Sequence, residues 1–364
     1  MWYKPANESS ISTPAVLVYP DRIEDNIRRM IAIAGSAQRL RPHVKTHKIA
    51  EVIRLQVQHG IKKFKCATLN EVEMVAGNGG IDILLAYPLL GPGVRQMFHI
   101  MERFPETKLA VTVDSPSACR QLCDQASERG KNVNVFVDLD NGMHRTGIEP
   151  ERAGDLIDFI LDNKYLTFSG LHVYDGHIHD LDIAERKLHC DKDFEGVTRL
   201  IHTLENKRVM VKEIACGGSP TFPIHAQYES RTLCPGTPLF WDAGYKKSIP
   251  DLDFLPAAVV VGRVISKPTG NICFDLGYKS IASEMAHPRL SFFDLEIDRV
   301  INHSEEHLVV STKKSQDLSV GDLVYALPTH VCPTIALHEK VFVVQNQQVV
   351  DTWDVVARRR TYSH

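Results

Sequence analysis

The sequence has no long hydrophobic run and no strong excess of either charge. Its 42 Lys and Arg residues against 45 Asp and Glu residues give a formal net charge of −3, and no long cluster of basic residues occurs. A nucleic-acid-binding surface needs such a cluster, so we expect no nucleic acid as a partner. No window approaches the roughly 20 apolar residues that span a bilayer, and the N-terminus has no signal-peptide pattern. We therefore expect a soluble, cytoplasmic protein with no membrane partner.

Cysteine is also sparse. The 8 cysteines lack the dense spacing of a small disulfide-stabilised scaffold, so we expect most of them to be reduced core residues. With 43% hydrophobic and 24% charged residues the composition is that of an ordinary globular protein, and 364 residues suffice for a large core, most simply in two domains. Disordered and fibrous classes are excluded.

Helix-like and strand-like segments alternate from about residue 20 to about residue 245. Short apolar or β-rich runs occur at 39–44, 63–67, 81–86, 108–113, 133–137, 167–174, 209–215 and 232–234. Alternating strands and helices favour parallel pairing through right-handed crossovers, and eight such units close into a (β/α)8 barrel of the TIM type. The pattern leaves a doubly wound open sheet as the alternative.

The pattern changes after residue 245. Further β-rich runs, with few helical patterns between them, occur at 257–266, 290–297, 308–311, 322–326, 340–344 and 348–350. We predict a barrel over residues 20–245 and a β domain formed by residues 1–19 and 246–364. The early run 15–19 either pairs with the β domain or leads directly into the barrel.

Polar residues follow several of the predicted barrel strands, where the reactive side chains of such barrels lie. Lys45 ends the first strand, Arg145 follows the fifth and Tyr174 ends the sixth. A lysine that attacks an aldehyde needs a neutral amine, which desolvation or nearby cations such as Arg41 and Lys48 would favour. A solvated lysine is more common at such a position. The convergence of the other motifs favours a Schiff-base role for Lys45.

Glycine-rich loops follow the last two predicted strands. Gly218 and Ser219 lie in the first loop, and Gly236 and Thr237 lie in the second. Glycine permits close backbone approach and the hydroxyl groups can donate hydrogen bonds, which suits a phosphate. A glycine pair alone is more often a tight turn.

His330 and Cys332 are separated by one residue, so on an extended strand their side chains would point to the same side. An imidazole and a thiolate suit zinc or a similar divalent ion, with positions left open for water or substrate. Two ligands are too few for a structural zinc site. In isolation the pair is more simply an ordinary feature of a β domain.

Imidazoles are concentrated between His172 and His179. This segment could supply a second set of metal ligands, a general base near neutral pH or contacts to a cofactor. We expect His179 to lie on the surface.

The order of these motifs resembles that of the D-threonine aldolase and D-serine dehydratase family of pyridoxal phosphate enzymes. The matching strings are 41–48, 138–147, 170–177, 217–221, 235–237, 304–307 and 328–334. The resemblance extends over almost the whole chain. It implies an alanine-racemase-type fold and a homodimer.

The resemblance also implies roles for individual residues. Lys45 would carry pyridoxal 5′-phosphate, with Arg145 and Tyr174 lining it. His330 and Cys332 would hold a divalent metal, which the soft cysteine favours as zinc, with manganese as the other candidate. The residues that the resemblance places near the phosphate are Gly218, Ser219, Gly236 and Thr237. The string 231–234 departs from the acidic and basic residues of many relatives, so we assign no partner to the pyridine nitrogen.

Two lyase reactions fit these residues. In the first, a D-3-hydroxy amino acid such as D-threonine is cleaved to glycine and an aldehyde, and either a base on the metal or a histidine such as His177 takes the hydroxyl proton. In the second, Lys45 takes the Cα proton of D-serine or 3-hydroxyaspartate, which yields a keto acid and ammonia. We rank the aldolase first because the loop 174–177 is closer to aldolase members. An amino-acid racemase and a non-enzymatic cofactor carrier are further alternatives.

Overall fold

The computed structural model describes residues 1–268, 270–313 and 315–360. The chain divides into two compact units. Of the described residues, 28–45, 53–236 and 359–360 form a barrel unit, and those within 1–27, 46–52 and 237–358 form a β unit. The domain boundaries at residues 20 and 245 stay a prediction, and residues 361–364 of the predicted β domain lie outside the described residues.

The secondary structure elements are numbered in chain order. The strands are β1 Ala15–Val18, β2 Lys63–Cys66, β3 Asp82–Leu85, β4 Lys108–Val113, β5 Val133–Leu139, β6 Leu166–Val173, β7 Ile214–Cys216, β8 Arg231–Leu233, β9 Ala258–Ser266, β10 Asn271–Phe274, β11 Leu290–Phe292, β12 Arg299–His303, β13 Leu308–Ser311, β14 Leu323–Pro328, β15 Lys340–Gln345 and β16 Gln348–Asp354. The helices are α1 Pro20–Ala34, α2 Ala50–Gln58, α3 Leu69–Ala76, α4 Pro92–Arg103, α5 Pro116–Glu128, α6 Ala153–Leu161, α7 Ile183–Asp193, α8 Glu195–Asn206, α9 Phe222–His225, α10 Ala243–Ser248 and α11 Val331–Leu337. No helix in the described ranges combines the length and the apolar character needed to cross a membrane.

The barrel unit is a curled sheet of seven parallel strands in the order β2-β3-β4-β5-β6-β7-β8. Each strand pairs with the next one along the chain, which is the arrangement of a (β/α) barrel and differs from the reversal of strand order in a doubly wound sheet. The TIM-type fold class is therefore confirmed. Side chains of the sheet form a buried cluster that includes Leu84, Phe136 and Cys234.

The first predicted strand, 39–44, is not a strand. It makes only two isolated parallel bridges, one from Leu40 to β8 and one from His43 to β2. Pro42 lies between these residues and has no N–H group to donate, so a regular ladder cannot continue through it. The segment still connects β8 to β2 and occupies the place of the eighth strand.

Arg41 is buried in the barrel unit and is paired with carboxylates. Its Nε and Nη2 lie 2.8 and 2.9 Å from the two carboxylate oxygens of Glu213, and Nη2 lies 2.9 Å from Asp82 Oδ1. Burial would raise the pKa of Glu213, but the guanidinium lowers it to about 2. The charge of Arg41 is thus compensated by carboxylates, which weakens the effect that we predicted for it as a cation near Lys45.

The β unit is built around β9. Its sheet has the order β12-β13-β10-β9-β1-β15-β16, with β14 also paired to β9 and β11 paired to β14. β1 pairs with β9 and β15, so the early run pairs with the β unit. β12 was not predicted, because its residues are largely exposed and lack apolar alternation.

Candidate active site

The ring of Tyr174, directly after β6, is approached by three cationic side chains. The ring centroid lies 5.8 Å from Lys45 Nζ, 5.2 Å from Arg145 Cζ and 4.9 Å from Lys65 Nζ. A Cβ at Gly176 would lie 2.4 Å from ring atoms, so this close packing requires glycine. The structure thus brings Lys45, Arg145 and Tyr174 together and adds Lys65, which the sequence analysis missed. A lysine within a short barrel strand was the available signal.

A buried pair formed by Asp138 and His172 lies on β5 and β6. Asp138 Oδ1 is 2.6 Å from His172 Nδ1, and Oδ2 accepts a hydrogen bond of 2.9 Å from Thr146 Oγ1. Burial and the charge of Lys65 lower the pKa of His172. Burial would raise the pKa of Asp138, but the interaction with His172 lowers it below its usual value. A neutral imidazole that donates from Nδ1 has a lone pair on Nε2. Within the described part of the chain this buried nitrogen has no hydrogen-bond partner.

The loop that carries Arg145 is folded by Asp140. Its Oδ1 accepts hydrogen bonds from the backbone N of Gly142 at 3.1 Å and of His144 at 2.9 Å. Gly147 ends the loop with φ of +106°, and a Cβ there would lie 2.6 Å from Asp140 N. These contacts fix the conformation of the loop after β5 and therefore the position of Arg145.

Asp175 holds the glycine-rich loop 217–221. Its Oδ1 accepts hydrogen bonds from Gly218 N at 3.1 Å and Thr221 Oγ1 at 2.8 Å, and its Oδ2 lies 2.7 Å from His225 Nε2. Burial would raise the pKa of Asp175, but His225 and Thr221 keep it below its usual range. The Gly218 N–H therefore already has an acceptor, which sequence reasoning had not shown.

The loops after β7 and β8 are joined beside Tyr174. Ser219 Oγ accepts a hydrogen bond of 3.4 Å from Gly236 N. A Cβ at Gly218 would lie 3.3 Å from Tyr174 Cε2, so the loop packs closely against the ring. The predicted phosphate contacts Gly218, Ser219 and Gly236 are thus adjacent to the predicted cofactor face.

His177 forms a second imidazole–carboxylate pair. Its Nε2 lies 2.8 Å from Asp193 Oδ2 on α7, and His189 Nε2 is 3.4 Å from the same oxygen. His177 Nδ1 is buried, and none of the described residues provides a hydrogen-bond partner for it. If His177 carries its proton on Nε2 and donates it to the Asp193 carboxylate, Nδ1 has a lone pair that could accept a proton. His179 is exposed, as predicted.

His330 and Cys332 lie at the start of α11 and not on a strand, which corrects the sequence prediction. β14 ends at Pro328, and the buried carboxylate of Asp242 accepts a hydrogen bond of 3.0 Å from Val331 N at the first residue of the helix. The two side chains nevertheless interact, since His330 lowers the pKa of Cys332.

The environment of this pair shifts the pKa of each side chain. Burial opposes both charges, but the interaction between the side chains raises the pKa of His330 to about 9 and lowers the pKa of Cys332. Glu284 Oε1 is 2.6 Å from His330 Nδ1, so a divalent metal would bind at Nε2 and displace the proton that the imidazolium carries there. Cys332 Sγ lies 3.2 Å from Thr46 Oγ1 and 3.7 Å from Thr237 Oγ1. A carboxylate behind an imidazole is usual at metal-binding histidines, so this pair fits a divalent metal.

Comparison with known proteins places the chain in a family. Residues 18–243 match the family model described as alanine racemase, N-terminal domain, and residues 257–344 match the putative serine dehydratase domain. The chain belongs to the alanine racemase-like family of pyridoxal phosphate enzymes. Within it, the chain is a member of the group that contains D-threonine aldolases and D-serine dehydratases, and it is a pyridoxal-phosphate-dependent lyase.

Relatives of this family member match it over nearly their full length. It is 27% identical to a 3-hydroxy-D-aspartate aldolase of Paracoccus denitrificans (strain Pd 1222), with 98% of this chain and 94% of the relative covered. It is 26% identical to a D-threonine aldolase of Arthrobacter sp, with 96% and 93% covered. The crystal structure of a D-threonine aldolase from Filomicrobium marinum has a TM-score of 0.89 and 26% identity over 98% of this chain and 97% of that one. The predicted family, fold and enzyme class are confirmed.

The residues of the barrel unit fit the cofactor of this family. Tyr174 offers a planar face, Lys45 offers an amine, and Arg145 and Lys65 offer positive charge to an anionic aromatic aldehyde. Lys65 Nζ and His172 Nε2 are buried polar atoms that lack a hydrogen-bond partner in the described ranges. Such atoms are uncommon in a folded protein, and a bound polar ligand accounts for them.

Proposed function

We propose that this protein is a pyridoxal-phosphate- and divalent-metal-dependent lyase of D-3-hydroxy amino acids that cleaves D-threonine-like substrates to glycine and an aldehyde. The observation that carries the proposal is the His330 and Cys332 pair, in which Glu284 orients the imidazole and the thiol has a lowered pKa. A metal held there would polarise a substrate 3-hydroxyl. The aldolase names of the relatives support this choice.

The barrel residues would bind the cofactor and substrate. Pyridoxal phosphate, when bound, supplies an electron sink for the charge left at Cα as a bond breaks. Lys45 provides the amine that attaches it, and Tyr174 and Arg145 line it. The predicted phosphate contacts are Gly218, Ser219, Gly236 and Thr237.

The proton of the substrate hydroxyl needs an acceptor, and His177 is our candidate. Asp193 accepts from its Nε2, so the tautomer that leaves Nδ1 basic is stabilised. His330 and Cys332 are the predicted metal ligands, with zinc or manganese as the ion.

A D-serine or 3-hydroxyaspartate dehydratase is the second candidate, because residues 257–344 match a putative serine dehydratase domain. The same residues would serve it, with Lys45 as the base that removes the Cα proton. An amino-acid racemase needs a base on each substrate face and no metal, so the presence of the predicted metal ligands His330 and Cys332 argues against it. A carrier would bind cofactor without turnover.

Product analysis tests the proposal. Purified protein with pyridoxal phosphate and Zn²⁺ or Mn²⁺ is incubated separately with D-threonine, D-serine and 3-hydroxy-D-aspartate, and glycine, aldehyde, ammonia and keto acid are measured. We expect glycine and acetaldehyde from D-threonine, with loss of activity on chelation and in Cys332→Ala. Ammonia without glycine would instead establish the dehydratase. Metal-independent interconversion of D and L isomers would establish a racemase.

Three further parts of the proposal have direct measurements. Borohydride reduction followed by peptide mapping should find the cofactor on Lys45, and Lys45→Ala should abolish the adduct. His177→Asn should lower kcat with little change in cofactor affinity if His177 is the base. The predicted homodimer is checked by light scattering of the cofactor-loaded protein.

A further inference from the structure

Lys65 is a buried cation in the interior of the barrel unit. Lys65 is 2% exposed. Its backbone is fixed by a 2.9 Å hydrogen bond from Lys65 N to Pro42 O and by pairing with Leu84 on β3. Among the described residues no hydrogen-bond partner is available to Nζ. Lysine is almost never fully buried without a partner, so a partner from outside the protein is indicated.

The protein groups around Lys65 do not supply that partner. The carboxylate of Asp138 already binds His172 Nδ1 at 2.6 Å and Thr146 Oγ1 at 2.9 Å. Burial raises the pKa of the neighbouring Cys234, which therefore stays a neutral thiol. Two further neighbours offer no anion. The Tyr174 ring centroid lies 4.9 Å from Nζ, and the charge of Lys65 lowers the pKa of the His172 imidazole.

We propose that Lys65 is a further cofactor-binding residue whose ammonium donates a hydrogen bond to the phenolic oxygen of pyridoxal phosphate. This inference rests on the proposed function. Two anionic groups flank the aldehyde carbon of the cofactor, the phenolic oxygen on one side and the phosphate arm on the other. The phosphate contacts are expected from Gly218, Ser219 and Gly236, after β7 and β8. Lys65 lies on β2 and shares the Tyr174 ring with Lys45, which leaves the phenolic oxygen as its partner.

This role gives Lys65 opposite effects on the empty and the loaded protein. Without an anion, a buried ammonium destabilises the fold because it has lost its hydration. With the phenolate bound, the same charge increases cofactor affinity. A purely structural lysine would stabilise both states.

The test uses Lys65→Met, which keeps much of the side-chain volume, with the exposed Lys62→Met as its matched control. The melting temperature of each apoprotein is measured by thermal denaturation. The dissociation constant for pyridoxal phosphate is measured by titration of cofactor into each protein. We expect Lys65→Met to melt at or above the wild-type temperature and to bind the cofactor at least tenfold more weakly. Lys62→Met should match the wild type in both. A lower melting temperature with unchanged affinity would overturn the inference.

A cofactor analogue identifies the oxygen. With 3-deoxypyridoxal phosphate, which lacks the phenolic oxygen, wild type and Lys65→Met should bind alike. An equal loss of affinity for both compounds would place Lys65 at the phosphate and overturn the assignment, as would a borohydride-trapped adduct on Lys65 in the wild type. Failure of the wild type to bind pyridoxal phosphate would overturn the proposed function itself. Binding on Lys45 with unchanged affinity in Lys65→Met would overturn this inference alone.

Discussion

At the scale of single residues, Asp175 shows how one buried carboxylate can organise a site without being one of its predicted contacts. It accepts hydrogen bonds from the loop 217–221 through Oδ1 and pairs with His225 through Oδ2. His225 Nδ1 in turn lies 2.8 Å from Arg231 Nη1. The ionised carboxylate therefore links the loop after β7 to β8.

Replacing Asp175 by Asn should destabilise the protein and weaken cofactor binding, because an amide cannot accept from all of these donors. We expect the free energy of unfolding to fall by about 3 kcal/mol and cofactor affinity to fall about tenfold. Urea denaturation of the apoprotein and cofactor titration measure the two effects. The exposed Asp162→Asn is the control and should change stability by less than ~0.5 kcal/mol. Equal behaviour of the two variants would refute the role of Asp175.

At the scale of elements, the junction between β14 and α11 positions His330 and Cys332, the predicted metal ligands. Gly244 of α10 donates a hydrogen bond of 3.1 Å from its N to Thr329 O, and Asp242 accepts from Val331 N at 3.0 Å. The backbone on either side of His330 is thus held by Gly244 in α10 and by Asp242, the N-cap residue of α10.

Gly244→Ala should disturb this junction, because the new Cβ would lie 2.4 Å from Thr329 O, a backbone atom that cannot move alone. We expect a loss of about 1–3 kcal/mol in the free energy of unfolding and roughly tenfold weaker metal binding, measured by competition with a chromophoric chelator. Gly154→Ala in α6 is the control, since its Cβ would meet open space and should stabilise the helix by about 0.5–1 kcal/mol. Unchanged metal affinity in Gly244→Ala would argue against the junction as the positioning device.

At the scale of the whole molecule, Arg41 joins parts of the barrel unit that are far apart in sequence. It connects the segment 39–44 to Asp82 on β3 and to Glu213 before β7. Lys63 at the start of β2 also pairs with Glu213, at 3.2 Å. These ion pairs close the unit where its first segment lacks a regular strand ladder.

The depressed pKa of Glu213 makes this closure dependent on pH. Because its pKa falls from 4.5 to about 2 on folding, its stabilising contribution is complete above about pH 4.5 and is lost as the pH falls toward 2. Glu213→Gln should lower the free energy of unfolding at pH 7 by about 3 kcal/mol and flatten its decline between pH 5 and pH 3. Urea denaturation across this range provides the measurement, with the exposed Glu149→Gln as control. A variant whose pH profile is parallel to that of the wild type would contradict the assignment.

The fold class and the places of Arg145 and Tyr174 after β5 and β6 could be predicted because they depend on local periodicity, whereas Lys45 follows a segment that is not a regular strand. Strands that alternate with helices place each strand end at the same face of a barrel, whatever the details of packing. The conformation around His330 and Cys332 could not be predicted in this way. One residue of separation suggests a strand, but the buried Asp242 starts a helix there, and that contact joins residues 89 positions apart.

The sequence by itself determined the order of the strands, the family and the residue types available for chemistry, because these follow from hydrophobic pattern and from motifs along the chain. The tertiary structure decided which of those residues are charged, paired or left without a partner. Only folding buries Lys65 Nζ without a hydrogen-bond partner among the described residues and turns the Gly218 N–H toward Asp175. Burial and long-range hydrogen bonds determine these properties, and neither can be read from neighbours in sequence.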